Sequence, residues 1–431
     1  MNNNTITIPS QHYNTVTIPQ GWSSLPINEV FEFIGTSSFS RNDLNYEADE
    51  DNIYYIHYGD IHATYKNAVL DFETETRIPV LNKDIKPSAH LLKEGDLVIA
   101  DASEDYEGIG EALEVYNLGD KKALAGLHTF ALRDNSNKTA HGYRAYIFKN
   151  HEVKNRLKTI ATGSKVYGIS KGNLTKFKII LPPYQEQQKI AQILATWDKA
   201  IVLQQQIITK KRHSEKNLIH QLITGQKRLK GFSNGWDKKM LGEIGELTSS
   251  KRVYLSDYVE EGIPFFRGKE ISELKEGKVI KDILFISKSA YNNFKENYGV
   301  PVENDILITA VGTIGNVYRI QNNNPFYFKD GNLIWIKNIK ESSNFIEKLL
   351  NFEYKKIYNS AIGSNQKALT IVSLKRIHLF IPPLIEQIAI ARVLETSEKE
   401  LRNHEQQLVA MQEQKKGLMQ QLLTGKLRVK I

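Results

Sequence analysis

The chain contains an internal repeat of fifty residues at a constant spacing of 200 positions. Residues 181–230 and 381–430 align without a gap, and eighteen of the fifty pairs are identical, whereas unrelated segments of average composition would share roughly three. Each copy begins with a Pro-Pro pair, which suits the first turn of a helix, and has a glycine where a helix would end, at Gly225 and Gly425. The chain is therefore predicted to be a duplication in which a globular module and a long helix occur twice.

Apolar residues recur along each copy at alternating intervals of four and three, which is the heptad pattern of a coiled coil. About 40 residues lie between the helix signals of each copy, enough for a helix about 60 Å long. The predicted seam positions are Ile190, Leu194, Trp197, Ile201, Ile208, Leu218 and Leu222, then Ile390, Leu394, Leu401, Leu408, Met411, Leu418 and Leu422. Polar residues interrupt this seam at Gln204, Lys211, Glu215, Ser397, His404 and Lys415.

The predicted fold class is α+β: two globular α+β domains separated by two long antiparallel helices that form a coiled coil, with a pseudo-two-fold internal repeat. Two unrelated helices that each pack on their own domain are the alternative. Apolar runs such as 97–100 and 306–309 predict strands, and 345–358 predicts a helix. The predicted boundaries are 1–181 for the first domain, of which 1–20 form an N-terminal extension, 182–230 for the first long helix, 231–381 for the second domain and 382–431 for the second long helix.

Composition limits the classes of protein to which the chain can belong. It has no cysteine, which excludes disulfides, a thiol nucleophile and thiolate-bound metal sites. Its apolar runs are shorter than the ~18 residues of a membrane span, and its polar start differs from a signal peptide, so we expect a cytoplasmic protein. The net charge of +8 indicates a polyanionic partner. That charge is uneven, because residues 1–183 carry 19 basic and 23 acidic side chains, whereas residues 231–383 carry 21 and 17.

Two stretches approach the Asn/Asp-Pro-Pro-aromatic motif of amino-methyltransferases, in which a polar side chain and an aromatic ring hold a flipped base. Leu181-Pro182-Pro183-Tyr184 has an aliphatic residue in the polar position, and Asn324-Pro325-Phe326-Tyr327 lacks the second proline. The glycine-rich stretch 311–315 lacks the lysine of a phosphate-binding loop. The sequence therefore predicts no catalytic site. It also predicts no metal site, because the histidines show no metal-ligand spacing, as at His57, His62, His128 and His141.

The doubled order of module, Pro-Pro-x-x-Glu-Gln, long helix and Gln-Leu-x-Thr-Gly resembles the specificity (S) subunits of type I restriction-modification systems. The motifs are Pro182-Pro183-Tyr184-Gln185-Glu186-Gln187 with Gln221-Leu222-Ile223-Thr224-Gly225, and Pro382-Pro383-Leu384-Ile385-Glu386-Gln387 with Gln421-Leu422-Leu423-Thr424-Gly425. The resemblance covers almost the whole chain. It implies a sequence-specific DNA-binding subunit in which each target-recognition domain reads one half of a bipartite, asymmetric site. The helices would set the spacing and dock methyltransferase subunits.

The resemblance also implies the partners. They are double-stranded DNA, two methyltransferase (M) subunits that bring S-adenosylmethionine and methylate adenine, and often restriction (R) subunits. This chain would then hold no cofactor and would not be an enzyme. One alternative is a self-contained DNA methyltransferase or nuclease with a divergent active site, and another is a dimerising coil without a DNA role.

Candidate DNA contacts lie in loops of both domains, where Lys and Arg can neutralise phosphates and polar groups can distinguish base edges. An ordinary solvated side chain is the alternative for each of them. In the second domain the candidates are Lys251, Arg252, Arg267, Lys269, Asn365, Gln366 and Lys367. By the repeat, their counterparts in the first domain are Arg41, Asn42, His57, Tyr58, Lys165 and Tyr167.

Overall fold

A computed structural model of the chain contains two compact units, each assembled from segments that are distant in the sequence. The structure describes residues 6–8, 16–47, 53–363 and 367–431. The first unit comprises residues 1–206 and 406–431, and the second comprises residues 207–405. The boundary between the units thus falls within both long helices. The four-segment division at 181, 230 and 381 follows the repeat instead, and it stays a prediction.

The two long helices have equal length and matching ends. The first long helix is Tyr184–Ile223 and the second is Leu384–Leu423, each of 40 residues. Gly225 and Gly425 follow them with φ of 72° and 70°, a left-handed conformation in which glycine is favoured because it lacks a Cβ atom. The helix ends predicted from the Pro-Pro pairs and the glycines are therefore present. No helix within the described ranges is long and apolar enough to cross a membrane.

In the first unit the two helices run antiparallel. Asp198 forms an ion pair with Lys415, and Gln204 lies further along the first helix, where its Nε2 donates to Gln407 Oε1 at 3.3 Å. The residue number on the second helix falls as the number on the first helix rises. Leu422 and Leu423, at the end of the second helix, are buried in the core of the first module.

The second unit has the same antiparallel arrangement, because Leu222, near the end of the first long helix, shares a core with Ile390, near the start of the second. Ion pairs join the two helices here as well. Lys211 pairs with Glu400 at 2.7 Å and Arg212 pairs with Glu405 at 2.6 Å. Lys211, a polar interruption of the predicted seam, is thus bound to the other helix. Here the end of the first long helix is buried in the core of the second module, through Leu222 and its neighbour Ile223.

The first module precedes the first long helix and is built on two mixed sheets. The five-stranded sheet has the order Glu32–Ile34, Thr129–Arg133, Leu97–Ala100, Ala112–Tyr116, Val69–Asp71. The four-stranded sheet has the order Ala123–Ala125, Tyr54–Ile56, Val80–Leu81, Leu44–Asn45. Two-stranded pairs are formed by Ser23–Pro26 with Lys178–Leu181, Ala102–Ser103 with Tyr167–Gly168, and Ile6–Ile8 with Val16–Ile18. Its α-helices are Tyr58–Ala63, Arg144–Lys149, His151–Ile160 and Lys171–Lys176, and its 3₁₀ turns are Ile27–Glu29 and Arg41–Asp43.

The second module lies between the long helices in sequence and repeats this plan with two four-stranded sheets. One has the order Glu246–Thr248, Leu333–Lys337, Ile306–Thr309, Val317–Arg319. The other has the order Tyr258–Val259, Leu284–Ile286, Ile263–Phe266, Tyr327–Phe328. Asp237–Met240 pairs with His378–Ile381. Its helices are Leu241–Ile244, Gly268–Lys275, Lys288–Tyr298, Ser343–Phe352, Tyr354–Asn359 and Ile371–Lys375, and its 3₁₀ turn is Leu255–Asp257.

Equivalent strands form the centre of each module because their side chains are apolar on both faces. Leu97–Ala100 and Ile306–Thr309 are buried along their whole length, as continuous apolar runs require. Ser23–Pro26 in the first module and Asp237–Met240 in the second each pair antiparallel with the strand that enters the following long helix. The predicted α+β class and the internal repeat are therefore confirmed. The predicted helix at 345–358 is instead two helices, Ser343–Phe352 and Tyr354–Asn359, joined at Glu353, which lies outside helical geometry at ψ 18°.

Candidate functional site

In both modules a parallel strand pair ends beside a short helix, and several candidate residues lie at that place. Tyr54–Ile56 pairs with Ala123–Ala125 in the first module, and Ile263–Phe266 pairs with Tyr327–Phe328 in the second. We call this place the strand-pair edge. In the first module it comprises residues 57–58 and 126–128, and in the second it comprises 267–269 and 329–332.

Different side chains occupy the same position of the strand-pair edge in the two modules. His57 is the N-cap of helix Tyr58–Ala63, and its Nδ1 accepts from Gly59 N at 3.0 Å. Arg267 is the N-cap of helix Gly268–Lys275. The repeat thus preserves the backbone frame but changes the chemistry that the frame presents.

Arg267 is held in place by a buried carboxylate of its own helix. Its backbone N donates to Glu270 Oε2 at 2.7 Å, and its Nη2 donates to Glu270 Oε1 at 2.5 Å. Burial opposes ionisation of Glu270, but the hydrogen bonds from Arg267 outweigh it and keep the pKa of Glu270 below its ordinary value. The Arg267 side chain is 36% exposed, so it is both oriented and open to a ligand.

The loop before the 3₁₀ turn of the second module presents two cations. The backbone N of Lys251 donates to Tyr327 Oη at 2.8 Å, and its ammonium lies 4.5 Å from the centre of the Tyr298 ring. Arg252 is 69% exposed, and its Nε donates to Asp330 Oδ2 at 3.1 Å. Asp330 belongs to the strand-pair edge, so this loop and the edge are in contact.

The other candidates of the second module are more scattered. Lys269 is exposed, 3.8 Å from Glu273, and Lys367 lies 4.7 Å from the centre of the Tyr358 ring. Asn365 and Gln366 fall outside the described residues, so their prediction stays open.

The first-module candidates Lys165 and Tyr167 lie in a loop with a counterpart in the second module. A bridge between Thr162 and Gly168 closes this loop, and a bridge between Ile362 and Ala368 closes its counterpart. Lys165 is exposed, and the Tyr167 ring contacts the Tyr106 ring edge-on at 4.9 Å.

Arg41 and Asn42 lie in the 3₁₀ turn Arg41–Asp43, whose counterpart is Leu255–Asp257. Ser40 N donates to Asp43 at 2.9 Å, just as Tyr254 N donates to Asp257 at 2.8 Å. Arg41 is therefore in register with Leu255, four residues beyond Lys251. The pairing of Arg41 with Lys251 predicted from the repeat is therefore displaced by four residues, because the loops before this turn differ between the modules.

Three histidines of the first module that are scattered in the sequence lie around the ring of Tyr58. That ring lies 4.8 Å from His57, 5.3 Å from His128 and 6.4 Å from His62. His62 Nε2 lies 2.9 Å from the Ala102 carbonyl oxygen. Burial lowers the pKa of the His57 imidazole, although Asp60 opposes this effect. Within the described part of the chain, no group of three or more His, Cys, Asp or Glu is placed to hold a metal ion.

The Pro-Pro-x-x-Glu-Gln motif lies at the start of each long helix, where its glutamate is buried and charged groups meet. Glu186 is 1% exposed and binds Arg428 at 2.7 Å, and Glu386 is 0% exposed and binds Arg228 at 2.6 Å. Each arginine comes from the segment that follows the other long helix. The motif therefore serves to join helix ends within each unit.

The glutamine of the same motif connects the long helix to the module beside it. Gln187 Nε2 donates to the carbonyl oxygens of Pro182 and Lys138 at 2.9 and 3.0 Å, and its Oε1 accepts from Ala140 N at 2.9 Å. Gln387 makes the equivalent bonds to Pro382 O and Ser342 N.

The predicted seam lies on the shielded side of both long helices. Its buried members are Ile190, Leu194, Ile208, Leu222, Ile390, Leu394, Leu401 and Leu422, and its half-buried members are Trp197, Ile201, Leu218, Leu408, Met411 and Leu418. The polar residues that interrupt the seam lie on the same shielded side, and Gln204 is 9% exposed. Three residues around the strand-pair edges, Asp101, Glu270 and Asp330, were not predicted from the sequence, and His128 was considered there only as a metal ligand. Only their neighbours in space mark them.

A family model described as a type I restriction modification DNA specificity domain matches residues 19–213 and 233–411. A Methanocaldococcus jannaschii protein named as a candidate MjaX specificity subunit of a type I restriction enzyme is 28% identical over 438 residues, covering 96% of this chain and 95% of that protein. The MjaVIII specificity subunit of the same organism is 27% identical, covering 66% of this chain and 70% of that protein.

Solved structures show the same fold. The S subunit of a type I restriction-modification system from M. genitalium aligns with a TM-score of 0.53 at 15% identity, over 93% of this chain and 96% of that one. A chain from a structural study of complex assembly and conformational transition of the type I R-M system aligns with a TM-score of 0.55 at 15% identity, over 95% and 99%.

Proposed function

The chain belongs to the type I restriction modification DNA specificity domain family, and we propose that each module binds one half of a bipartite, asymmetric DNA site. Its function is that of a type I specificity subunit. One observation carries the proposal: equivalent strand-pair edges carry different polar side chains, His57 and the exposed His128 in one module and Arg267 in the other. Base pairs differ in their donors and acceptors in the major groove. Two different side chains in one frame would therefore select different half-sites.

We propose that the second module supplies more of the contacts to phosphate. It carries a positive excess where the first module carries a negative one. Its cations Lys251, Arg252 and Lys269 lie around one strand-pair edge, and all are exposed or half-exposed. Phosphate contacts add affinity and register without sequence information. The first module would contribute chiefly selectivity.

The long helices are proposed to set the spacing between the half-sites and to dock methyltransferase subunits. A helix of 40 residues is about 60 Å long, which corresponds to at most about 18 base pairs of duplex. In the first unit, Val202, Leu203 and Val409 lie outside the seam and are 39%, 58% and 60% exposed. Exposed apolar side chains on a helix face favour packing against another protein.

We propose that the chain itself is not catalytic, and that M subunits bring S-adenosylmethionine and methylate adenine, with R subunits joining in restriction. A self-contained methyltransferase is not favoured, because the relatives are named as specificity subunits. The geometry of 324–327 also disfavours it. Asn324 N donates to Asn322 Oδ1 in a turn, and Tyr327 is 1% exposed, so its ring has no open face for a flipped base.

Single-molecule sequencing of methylated DNA tests the proposal. The full chain is expressed with M subunits in a host without adenine methylation, and the methylated motif is determined. We expect a bipartite motif that disappears without this chain. Arg267→Ala should change one half of the motif only, whereas the control Arg376→Ala, an exposed arginine beside the strand that enters the second long helix, should change neither. Methylation by the purified chain alone, lost on Asn324→Ala, would support the self-contained enzyme instead. A motif that persists without this chain would contradict the proposal.

A further inference from the structure

The second turn of the strand-pair edge is equivalent in the two modules. In the first module Gly126 N donates to Ile56 O at 3.0 Å, and in the second Lys329 N donates to Phe266 O at 2.9 Å. The two turns therefore begin in the same register against the strand that carries His57 or Arg267.

The turns also end in the same register but carry different polar residues. His128 O accepts from Asp101 N at 3.1 Å, and Asn332 O accepts from Ala310 N at 2.7 Å. The first turn ends with His128, whereas the second contains Asp330. Because Asp330 binds Arg252, the second turn already orients an exposed cation of the candidate DNA surface.

His128 is fixed in place and open to solvent. Its φ of 57° is in the left-handed region, which residues other than glycine adopt only when the surrounding structure requires it. Its Nδ1 lies 3.4 Å from Asp101 Oδ1, and its ring meets the Tyr58 ring at 76°. Its side chain is 51% exposed, whereas His57 is 9% exposed. Of the histidines around Tyr58, His128 is therefore the one best placed to meet a ligand.

We propose that His128 is a specificity-determining residue of the first module and that its imidazole accepts a hydrogen bond from an amino group on a base edge. This inference rests on the proposed function. A carboxylate beside Nδ1 favours the tautomer with hydrogen on Nδ1, so that Nε2 is an acceptor. The base edges that donate in the major groove are adenine N6 and cytosine N4. His128 thus selects adenine or cytosine at one position of the first module's half-site.

The test is methylation of a duplex library with randomised half-sites by the complex of the full chain with M subunits. The wild-type complex should prefer adenine or cytosine at one position of one half-site. His128→Asn tolerates the left-handed backbone but is too short to replace the imidazole. It should reduce that preference roughly tenfold, as expected for one base contact, and leave the other positions unchanged. His128→Ala should have the same effect. The control His141→Ala removes an exposed histidine of the same module outside the edge and should alter nothing.

Comparison with Arg267→Ala makes the outcome decisive. The position that changes in His128→Asn must lie in the half-site that Arg267→Ala leaves intact. An unchanged preference in His128→Asn, or a change in the same half as Arg267→Ala, would overturn the role of His128. Equal loss at every position would show that His128 serves folding or assembly. If the wild-type complex showed no bipartite motif, the proposed function would fail as well.

Discussion

Trp22 donates its indole hydrogen to the carboxylate of Glu186 at 3.1 Å. The equivalent Trp236 has a buried indole nitrogen that finds no hydrogen-bond partner among the described residues. Both rings lie against the arginine that binds the motif glutamate, Arg428 at 5.8 Å and Arg228 at 5.7 Å. The ion pair between the motif glutamate and its arginine is thus the same in both units, whereas the hydrogen bond from tryptophan is present only in the first among the described residues.

This difference predicts unequal effects of removing the two arginines. Arg228→Ala should lower the free energy of unfolding of the second unit by about 3 kcal/mol, because it leaves the buried Glu386 carboxylate without its cation. Arg428→Ala should lower the free energy of unfolding of the first unit by about 1 kcal/mol less than this, because Glu186 keeps the bond from Trp22. Urea unfolding measures both. Lys430→Ala, an exposed change near Arg428, is the control, and equal losses for the two arginines would contradict the role of Trp22.

Gln187→Ala should destabilise the first unit by about 2 kcal/mol. The change leaves Ala140 N and the carbonyl oxygens of Pro182 and Lys138 without a buried partner, and unpaired buried polar groups are costly. The next residue, Gln188, is exposed, so Gln188→Ala should change stability by less than about 0.5 kcal/mol. Thermal and urea unfolding of the two variants provide the comparison. Similar effects at 187 and 188 would exclude this role for Gln187.

The first module should lose stability between about pH 4.5 and pH 7. Burial raises the pKa of Glu114 to about 7, although backbone N–H groups of Gly142 and Arg144 and the charge of Arg144 oppose it. The folded protein therefore keeps this proton up to about pH 7, whereas the unfolded chain releases it near 4.5. Stability falls as pH rises through this range, by up to about 1.4 kcal/mol per pH unit.

Unfolding free energies at pH 5 and pH 8 would measure this effect. Glu114→Gln does not titrate, so the fall from pH 5 to pH 8 should be smaller in this variant than in the wild type. The exposed change Glu29→Gln should retain the full fall. If Glu114→Gln kept the wild-type difference, other groups would be responsible for it.

The salt dependence of DNA binding should depend on the loop of the second module. Each phosphate contact contributes about 0.9 to the slope of log affinity against log salt concentration. Replacing Lys251 and Arg252 together by alanine should reduce that slope by up to about 2, with little change of base preference. A charge-matched change of Lys426 and Lys430 controls for net charge. Titration of the complex with labelled duplex from low to moderate salt gives the slopes, and an unchanged slope would place the loop away from phosphate.

Features that depend on local spacing could be predicted from the residues alone. The repeat, the helix ends at the Pro-Pro pairs and glycines, and the runs 97–100 and 306–309 all correspond to observed elements. Periodicity and chain stiffness govern these features within a few turns of helix or one strand. The family followed for the same reason, since its motifs are short and are doubled along the chain.

The strand-pair edges depend on contacts between residues that are far apart in sequence. His128 reaches Tyr58 only because the strands before them, Ala123–Ala125 and Tyr54–Ile56, pair in parallel. Arg252 reaches Asp330 through the corresponding turn. Strand register is set by packing of the whole sheet, and local patterns do not specify which turns it brings together. The repeat, the helix ends and the family could therefore be predicted from the sequence, whereas the partners of each polar side chain follow from the packing of the sheets.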